Sequence, residues 1–255
     1  MHCVQVRSYA KINWSLRITG KRPDGFHDLE TVFQTISLHD DLTFTPADRT
    51  TLTCDDPTIP TDDTNLVLRA ARAVNAAPVA IELRKRIPAG GGLGGGSSNA
   101  AATLMALGNG DLRDIALHLG SDVPFFLLGG TAYATGRGEV LTPLPPMTGI
   151  PLLLVLPEEG VLTKDAFARI TRYSPPLGLA AYRDFANFTN DFEEPVFATL
   201  PRLRELKERL LENGAFYASM SGSGSTLFGA FVNAESRDAA AAGFTDVRFE
   251  KAETI

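Results

Sequence analysis

Apolar and polar side chains alternate along parts of the chain, and this alternation predicts strands with one buried and one solvated face. Over residues 79–86, the apolar Val79, Ile81 and Leu83 alternate largely with charged side chains, which is the period-two pattern of a half-buried strand. A similar mixture of Thr, Phe and Leu over residues 41–54 predicts a β-hairpin.

Apolar residues recur at helical spacing in three further segments, over residues 65–75, 97–107 and 201–212. The last segment carries Pro201 in its first turn and is followed by Asn213-Gly214, which are typical start and stop residues of a helix. Strand and helix patterns do not alternate regularly, so we expect an α+β fold rather than a doubly wound parallel sheet.

A proline-rich stretch over residues 143–149 favours a boundary between two domains. We expect an N-terminal domain over residues 1–148 and a C-terminal domain over residues 149–255. The alternative is a long surface loop within a single domain, since 255 residues allow either arrangement.

Composition narrows the class of protein. The chain has 44% hydrophobic residues, which is ordinary for a globular protein. Its formal net charge of −6 disfavours a nucleic-acid or anionic-membrane partner. Its start lacks the pattern of a signal peptide, and its apolar runs are too short to span a bilayer, so we expect a cytoplasmic protein. The two cysteines form no CxxC or Cys/His cluster, and no metal ligands are predicted.

The strongest local signal is a glycine loop, in which six of the seven residues from Gly90 to Gly96 are glycine. Dense glycine lets successive N–H groups turn inward, and the helix predicted after it adds unpaired donors and partial positive charge. Together these features predict a phosphate cradle. The predicted cradle comprises Pro88, Ala89, Gly90, Gly91, Gly92, Leu93, Gly94, Gly95, Gly96, Ser97 and Ser98.

Three other interpretations of the loop are weaker. A P-loop requires a lysine where Ser97 follows Gly96, so that motif is absent. Gly90, Gly92 and Gly95 formally match a dinucleotide-binding fingerprint, but any dense glycine run does so, and the preceding strand alternates instead of being buried on both faces. A flexible linker would not lie between a strong strand and a strong helix.

Candidate chemistry also occurs near the N-terminus. Lys11 and Asn13 are two residues apart and would share one face of a strand, although a lysine on a solvated face is the simpler alternative. A Pro-Asp-Gly turn leads directly into Phe26 and His27, which could stack on a nucleobase and bond to its edge. The alternative places Phe26 in the core and His27 as a turn cap.

Asp122 is a carboxylate within an otherwise apolar stretch and therefore needs partners. It is a candidate general base, and a helix-capping aspartate is the alternative. A third glycine-rich segment, over residues 220–226, is a strand–turn whose expected role is to support the site.

These motifs resemble those of a known family. The pattern PAGGGLGGGSS resembles the ATP-binding motif of GHMP kinases. The segments AKIN, PDGFHDLET and GSDVPFF resemble the diphosphocytidyl-methylerythritol kinase branch, which more often has tyrosine where Phe26 stands. One departure is the short segment available for a helix before Asp122.

The resemblance implies a two-lobed α+β fold, with an N-terminal lobe like ribosomal protein S5 domain 2 and a ferredoxin-like C-terminal α/β sandwich. It implies Lys11 and Asp122 as catalytic residues lying against each other, and Asn65 near adenine. It further implies an acceptor site made of Asn13, Phe26, His27 and Phe188. ATP and Mg²⁺, the latter held mainly through phosphates, are the implied cofactors.

The implied reaction is ATP-dependent phosphorylation of the 2-hydroxyl of a cytidine-diphosphate-linked methylerythritol, in non-mevalonate isoprenoid precursor synthesis, by a monomer or homodimer. Two alternatives stay open. One is another GHMP kinase, acting on mevalonate, homoserine or a sugar, and the other is a non-catalytic nucleotide-binding protein.

Overall fold

A computed structural model describes residues 2–255 and every side chain among them except that of Arg183. The strands are β1 (Val4–Lys21), β2 (His27–Pro46), β3 (Thr51–Cys54), β4 (Val79–Arg84), β5 (Thr131–Thr135), β6 (Val140–Pro143), β7 (Pro151–Leu156), β8 (Tyr217–Met220), β9 (Leu227–Ala230) and β10 (Arg248–Glu253). The helices are α1 (Leu66–Ala73), α2 (Gly95–Leu107), α3 (Arg113–Leu119), α4 (Val123–Leu128), α5 (Thr163–Ala168), α6 (Glu193–Phe197), α7 (Pro201–Glu212) and α8 (Ala234–Ala241). Two short 3₁₀ helices cover Leu179–Arg183 and Phe185–Asn187.

The chain forms two compact units that do not follow the order of the sequence. The first unit comprises the chain up to Ala10, Leu38–Ala89 and Gly94–Gly129. The second unit comprises Lys11–Ser37, Gly90–Leu93 and Gly130–Ile255. The boundary predicted at residue 148 falls inside the second unit, where the proline-rich stretch joins β6 to β7.

In the first unit, β4 lies between two partners. It pairs antiparallel with the second half of β2 and parallel with β3. Its alternating Val79, Ile81 and Leu83 are each 1% exposed and pack in one cluster with residues of α1 and α2, as the period-two pattern predicts. This burial positions α2, whose first turn contains the last glycines of the glycine loop.

The hairpin predicted over residues 41–54 is wrong. The end of β2 pairs with β4 from Asp41 to Pro46, and β3 pairs with the other edge of β4 from Thr51 to Cys54. Both segments are strands, but the periodicity of a strand specifies its buried face and not its partner.

The second unit contains an antiparallel sheet in the order β10-β7-β9-β8. Its core is completed by α7, which has the predicted bounds and buries Leu203, Leu206 and Leu210. Leu16 and Ile18 of β1 belong to the same core, so residues 149–255 share their core with the start of the chain.

The other predicted helices are also present. Asn65 caps α1, whereas α2 begins at Gly95, two residues earlier than predicted. The cause is Gly94, which takes the N-cap position with a φ of +72°, a conformation that glycine adopts without steric cost. Among the described residues 2–255, no helix is long and apolar enough to cross a membrane.

Candidate active site

Strand β1 places Lys11 and Asn13 on one face, as their spacing predicts. The Lys11 ammonium donates to Asn13 Oδ1 at 2.6 Å and to the carbonyl oxygen of Gly92 at 2.9 Å. It also lies 5.4 Å from the centre of the Phe33 ring. Lys11 is only 3% exposed, so the alternative of a lysine on a solvated strand face is wrong.

The amide of Asn13 is held in one orientation. Its nitrogen donates to Thr31 Oγ1 at 2.7 Å, and the Thr31 hydroxyl donates to the carbonyl of Ser15 at 2.6 Å. Because the nitrogen is committed to Thr31, the oxygen of Asn13 faces Lys11. These two acceptors orient the ammonium of Lys11.

The first part of the glycine loop, Gly90–Leu93, belongs to the second unit and packs against the segment 220–226. Gly92 has a φ of +77°, and a Cβ added there would lie 2.0 Å from the carbonyl oxygen of Ser221. Ser221 Oγ donates to the Gly92 carbonyl at 3.0 Å, and the N–H of Thr226 donates to Gly91 at 3.3 Å. The glycine-rich segment 220–226 therefore supports the loop, as expected.

The second part of the loop, Gly94–Ser98, opens α2 in the first unit. No side chain caps this helix at Gly94, so its first N–H groups keep the donor capacity that a phosphate could use. The hydroxyl of Ser98 is committed within the fold, because it donates to the carbonyl of Tyr9 at 2.6 Å and accepts from Ser8 at 2.7 Å.

Asp40 holds the segment that leads into the glycine loop. The sequence patterns did not indicate this residue. It is fully buried. Its Oδ1 accepts from the N–H groups of Arg86 and Ile87 at 2.7 and 2.8 Å, and its Oδ2 accepts from Lys85 Nζ at 2.5 Å and Asn99 at 2.9 Å. The strand that leads into the loop and the helix that leaves it are thereby held by one carboxylate. No local pattern relates residue 40 to residues 85–99.

Asp122 lies at the N-cap position of α4, partly buried, in the first unit. Its side chain makes no capping hydrogen bond to the helix, so the helix-capping alternative does not describe its role. The short segment before it forms a complete helix, α3, ending at Leu119.

Asn65 caps α1, also in the first unit. Its Oδ1 accepts from the N–H of Val67 at 2.9 Å, and its amide nitrogen donates to Pro60 at 2.6 Å. Both ends of the amide are thus used in the fold, and its predicted position near adenine stays a prediction.

Phe26 and His27 follow a turn of the second unit in which Gly25 has a φ of +88°. Phe26 is 48% exposed, so its placement in the core is wrong, and the Arg137 guanidinium lies 4.3 Å from its ring centre. His27 stacks on Phe167, with ring centres 4.7 Å apart and planes 15° apart. Burial lowers the pKa of His27, and the charge of Lys21 adds to this effect.

Phe188 belongs to an aromatic cluster of the second unit. Its ring centre lies 4.7 Å from that of Phe185 and 6.2 Å from that of Tyr182. Phe185 is in turn 5.3 Å from Trp14. Phe188 is 8% exposed, so only a small part of its ring is accessible for the predicted contact with a base.

Among residues 2–255 there is no group of three or more His, Cys, Asp or Glu side chains that could hold a metal ion. Mg²⁺ usually keeps several waters and binds through one or two carboxylates together with phosphates. Binding of that kind does not require a cluster of three protein ligands.

Two family models match the chain. The model described as GHMP kinases N terminal domain matches residues 65–130, and the model described as GHMP kinases C terminal matches residues 176–248. These spans include the glycine loop, Asp122, Phe188 and the segment 220–226.

Curated relatives named 4-diphosphocytidyl-2-C-methyl-D-erythritol kinase are similar over most of the chain. One from Chlorobium phaeobacteroides (strain BS1) is 46% identical, over 94% of this chain and 92% of the relative. Another, from Solibacter usitatus (strain Ellin6076), is 46% identical over 89% of this chain and 80% of the relative.

Solved structures agree with this similarity. A crystal structure of 4-(cytidine 5'-diphospho)-2C-methyl-D-erythritol kinase matches with a TM-score of 0.86 at 35% identity, covering 98% of this chain and 99% of the other. The mevalonate kinase of Methanococcus jannaschii matches with a TM-score of 0.71 at 14% identity, over 100% of this chain and 99% of the other. The latter likeness is one of fold alone.

Proposed function

This chain belongs to the 4-diphosphocytidyl-2-C-methyl-D-erythritol kinase family of GHMP kinases, and on that premise we propose that it phosphorylates the 2-hydroxyl of that cytidine compound with ATP. The reaction belongs to non-mevalonate isoprenoid precursor synthesis, and the proposed location of the protein is the cytoplasm. We propose that it acts as a monomer or homodimer, without nucleic-acid or membrane partners.

The observation that carries the proposal is the placement of Lys11. Its ammonium is buried and bonded to the carbonyl of Gly92, within the loop proposed to hold the ATP phosphates. A fixed positive charge beside a phosphate loop stabilises charge that develops during phosphoryl transfer, without reorganisation at the moment of reaction.

Asp122 is the proposed general base. It accepts the proton of the substrate hydroxyl while the hydroxyl oxygen forms its bond to the γ-phosphorus. The bond from that phosphorus to the ADP oxygen breaks in the same in-line transfer, and ADP leaves with the electron pair. Lys11 stabilises the developing negative charge.

ATP is proposed to bind through the loop from Pro88 to Ser98, with Asn65 near adenine. The backbone N–H groups of the loop and the uncapped start of α2 supply donors for the phosphates. Mg²⁺ bound to the phosphates would neutralise part of their charge.

The acceptor is proposed to bind through its base and its hydroxyl group. Phe26 offers an exposed ring, while His27 and Phe188 lie in aromatic stacks of the same unit. A neutral His27 can both donate to and accept from a cytosine edge. Asn13, fixed by Lys11 and Thr31, is proposed to contact the methylerythritol part.

The test is ATP turnover with Mg²⁺, comparing 4-diphosphocytidyl-2-C-methyl-D-erythritol with mevalonate, homoserine and galactose, and following the product by phosphorus NMR. We expect a new monophosphate signal with the cytidine compound alone. Turnover of another acceptor would contradict the proposed cytosine site, but it would still support a kinase. The absence of transfer to any acceptor would favour a non-catalytic nucleotide-binding protein.

A further inference from the structure

Glu30 of β2 is a buried carboxylate that receives four hydrogen bonds. It is 5% exposed. Its Oε1 accepts from the Tyr133 hydroxyl at 2.7 Å and from the N–H of Gly178 at 3.1 Å. Its Oε2 accepts from the N–H of Leu177 at 2.8 Å and from the Tyr182 hydroxyl at 3.1 Å. A buried charge satisfied in this way holds its donors in place, because releasing any of them leaves the carboxylate under-bonded.

The donors come from two sources. Tyr133 belongs to β5, which pairs with β2. The other three donors belong to residues 177–188, here called the aromatic segment, which contains the two 3₁₀ helices. Within itself the segment makes local turn bonds, such as those from Ala181 to Gly178 and from Asn187 to Asp184. Glu30 therefore ties this segment to β2.

Ring contacts connect the residues held by Glu30 to Phe188. Tyr182, fixed through its hydroxyl, has its ring centre 6.2 Å from that of Phe188, and Phe185 packs on Phe188 at 4.7 Å. On the other side, Glu30 is three residues from His27 on the same strand. One carboxylate thus connects the strand that carries His27 to the segment that carries Phe188.

We propose that Glu30 is a positioning residue for the cytidine acceptor, which sets the placement of the aromatic segment against β2 and so determines acceptor affinity. The inference rests on the proposed function, since His27 and Phe188 are the residues assigned there to the base. Glu30 itself touches neither substrate nor reacting atoms in this scheme.

The experiment compares steady-state kinetics of the wild type and Glu30→Gln. The variant replaces one carboxylate oxygen by an NH₂ group, which then faces one backbone N–H of the segment and one tyrosine hydroxyl. It also removes the negative charge that all four donors share. We expect the KM for the cytidine acceptor to rise about tenfold, while kcat and the KM for ATP stay within about twofold. A carboxylate that only stabilised the fold would leave the acceptor KM unchanged, or would shift both KM values together, and either result would overturn the proposal.

Two tyrosines provide a matched pair that does not depend on the folding of Glu30→Gln. Tyr182→Phe removes one phenol–carboxylate hydrogen bond from the segment side, and Tyr133→Phe removes one from the strand side. We expect Tyr182→Phe to raise the acceptor KM about fivefold and Tyr133→Phe to change it less than about twofold. Equal effects of the two substitutions would contradict a role in placing the segment.

Trp14 is the one tryptophan of the chain. Its fluorescence monitors the packing of the aromatic segment independently of turnover. Trp14 is fully buried, with its ring 5.3 Å from Phe185. Acrylamide quenching of its fluorescence should increase in Glu30→Gln and Tyr182→Phe but not in Tyr133→Phe. Unchanged quenching in all three would overturn the anchoring role.

The kinetic experiment distinguishes failure of the inference from failure of the proposed function. Wild-type protein that does not turn over the cytidine acceptor would overturn both together. Wild-type turnover with an unchanged acceptor KM in Glu30→Gln would overturn the inference alone.

Discussion

At the scale of single residues, the proposed chemistry depends on two charged side chains, Lys11 and Asp122. Lys11 is buried and bonded to Asn13 and Gly92, and Asp122 occupies an N-cap position without capping the helix. Neither arrangement is what stability alone would favour, since a buried ammonium costs desolvation and an unused cap forgoes a hydrogen bond.

Lys11→Met should separate catalysis from folding. The side chain keeps most of its volume but loses the charge, so kcat should fall at least about 100-fold. The free energy of unfolding should fall by about 1–3 kcal/mol, because Asn13 Oδ1 loses a buried donor. Steady-state kinetics and urea unfolding measure the two effects. The exposed Lys164→Met on α5 is the control, and a Lys11→Met variant with ordinary kcat would contradict the assignment.

Asp122→Asn should fold like the wild type and lose most turnover, because the amide cannot accept the hydroxyl proton. We expect kcat to fall at least about 100-fold, with the thermal midpoint nearly unchanged. The control is Asp114→Asn, an exposed carboxylate on α3, which should retain full activity. Near-normal turnover in Asp122→Asn would remove this residue from the role of base.

At the scale of elements, the loop requires glycine for two reasons. Some positions need its backbone conformation, and others need the space that a Cβ would fill. Gly90, Gly92 and Gly94 all have positive φ, but they differ in their surroundings. A Cβ at Gly90 would meet nothing within 4 Å, whereas a Cβ at Gly92 would overlap the backbone of Ser221. The two positions therefore distinguish conformational strain from close packing.

Gly92→Ala should be far more damaging than Gly90→Ala. In Gly90→Ala only the left-handed backbone conformation is penalised, by about 1–2 kcal/mol. In Gly92→Ala the loop and the segment 220–226 must separate, and we expect the KM for ATP to rise at least about tenfold or the protein not to fold. Thermal unfolding and ATP kinetics of the pair provide the measurement. Equal behaviour of the two variants would show that the contact with Ser221 is unimportant.

The contribution of Glu30 to the free energy of unfolding depends on pH. Burial alone would raise the pKa of Glu30, but the hydrogen bonds from Tyr133, Leu177, Gly178 and Tyr182 outweigh it and lower the pKa. A carboxyl group with a lowered folded-state pKa contributes stability above its unfolded-state pKa of about 4.3, and loses it as pH falls through the folded value.

The gap in unfolding free energy between the wild type and Glu30→Gln should therefore be constant above about pH 5.5 and should narrow at lower pH. Urea unfolding at a series of pH values measures it, with the exposed Glu235→Gln as a control whose gap stays near zero. A gap that widened as the pH fell would contradict the assigned direction of the pKa.

At the scale of the whole molecule, the family match confirms the expected α+β GHMP kinase fold, while the compact units follow a different division from the predicted domains. The second unit joins residues 130–255 to Lys11–Ser37 and Gly90–Leu93. Its core contains Leu16 and Ile18, and the hydroxyl of Tyr217 donates to the carbonyl of Trp14 at 2.6 Å.

A fragment of residues 149–255 should consequently not fold by itself. It contains every strand of the sheet β10-β7-β9-β8 but lacks the core residues supplied by β1. We expect circular dichroism to show no cooperative thermal transition for the fragment, whereas the full chain shows one. Cooperative unfolding of the fragment would support the boundary predicted at residue 148.

The sequence alone determined the features that depend on near neighbours along the chain. The period of two in β4, the helical spacing of α7 and the shared face of Lys11 and Asn13 are local, because backbone geometry sets which side chains lie together. The glycine loop was also evident, since only glycine permits its backbone conformation.

Only the tertiary structure decided which distant groups meet. β3 pairs with β4 instead of β2, Gly92 packs against Ser221, and the buried carboxylates of Asp40 and Glu30 collect donors from remote segments. Residues 30 and 177 are far apart in the chain, and no periodicity relates them. Such contacts arise because a buried polar group must find partners wherever the fold brings donors within reach.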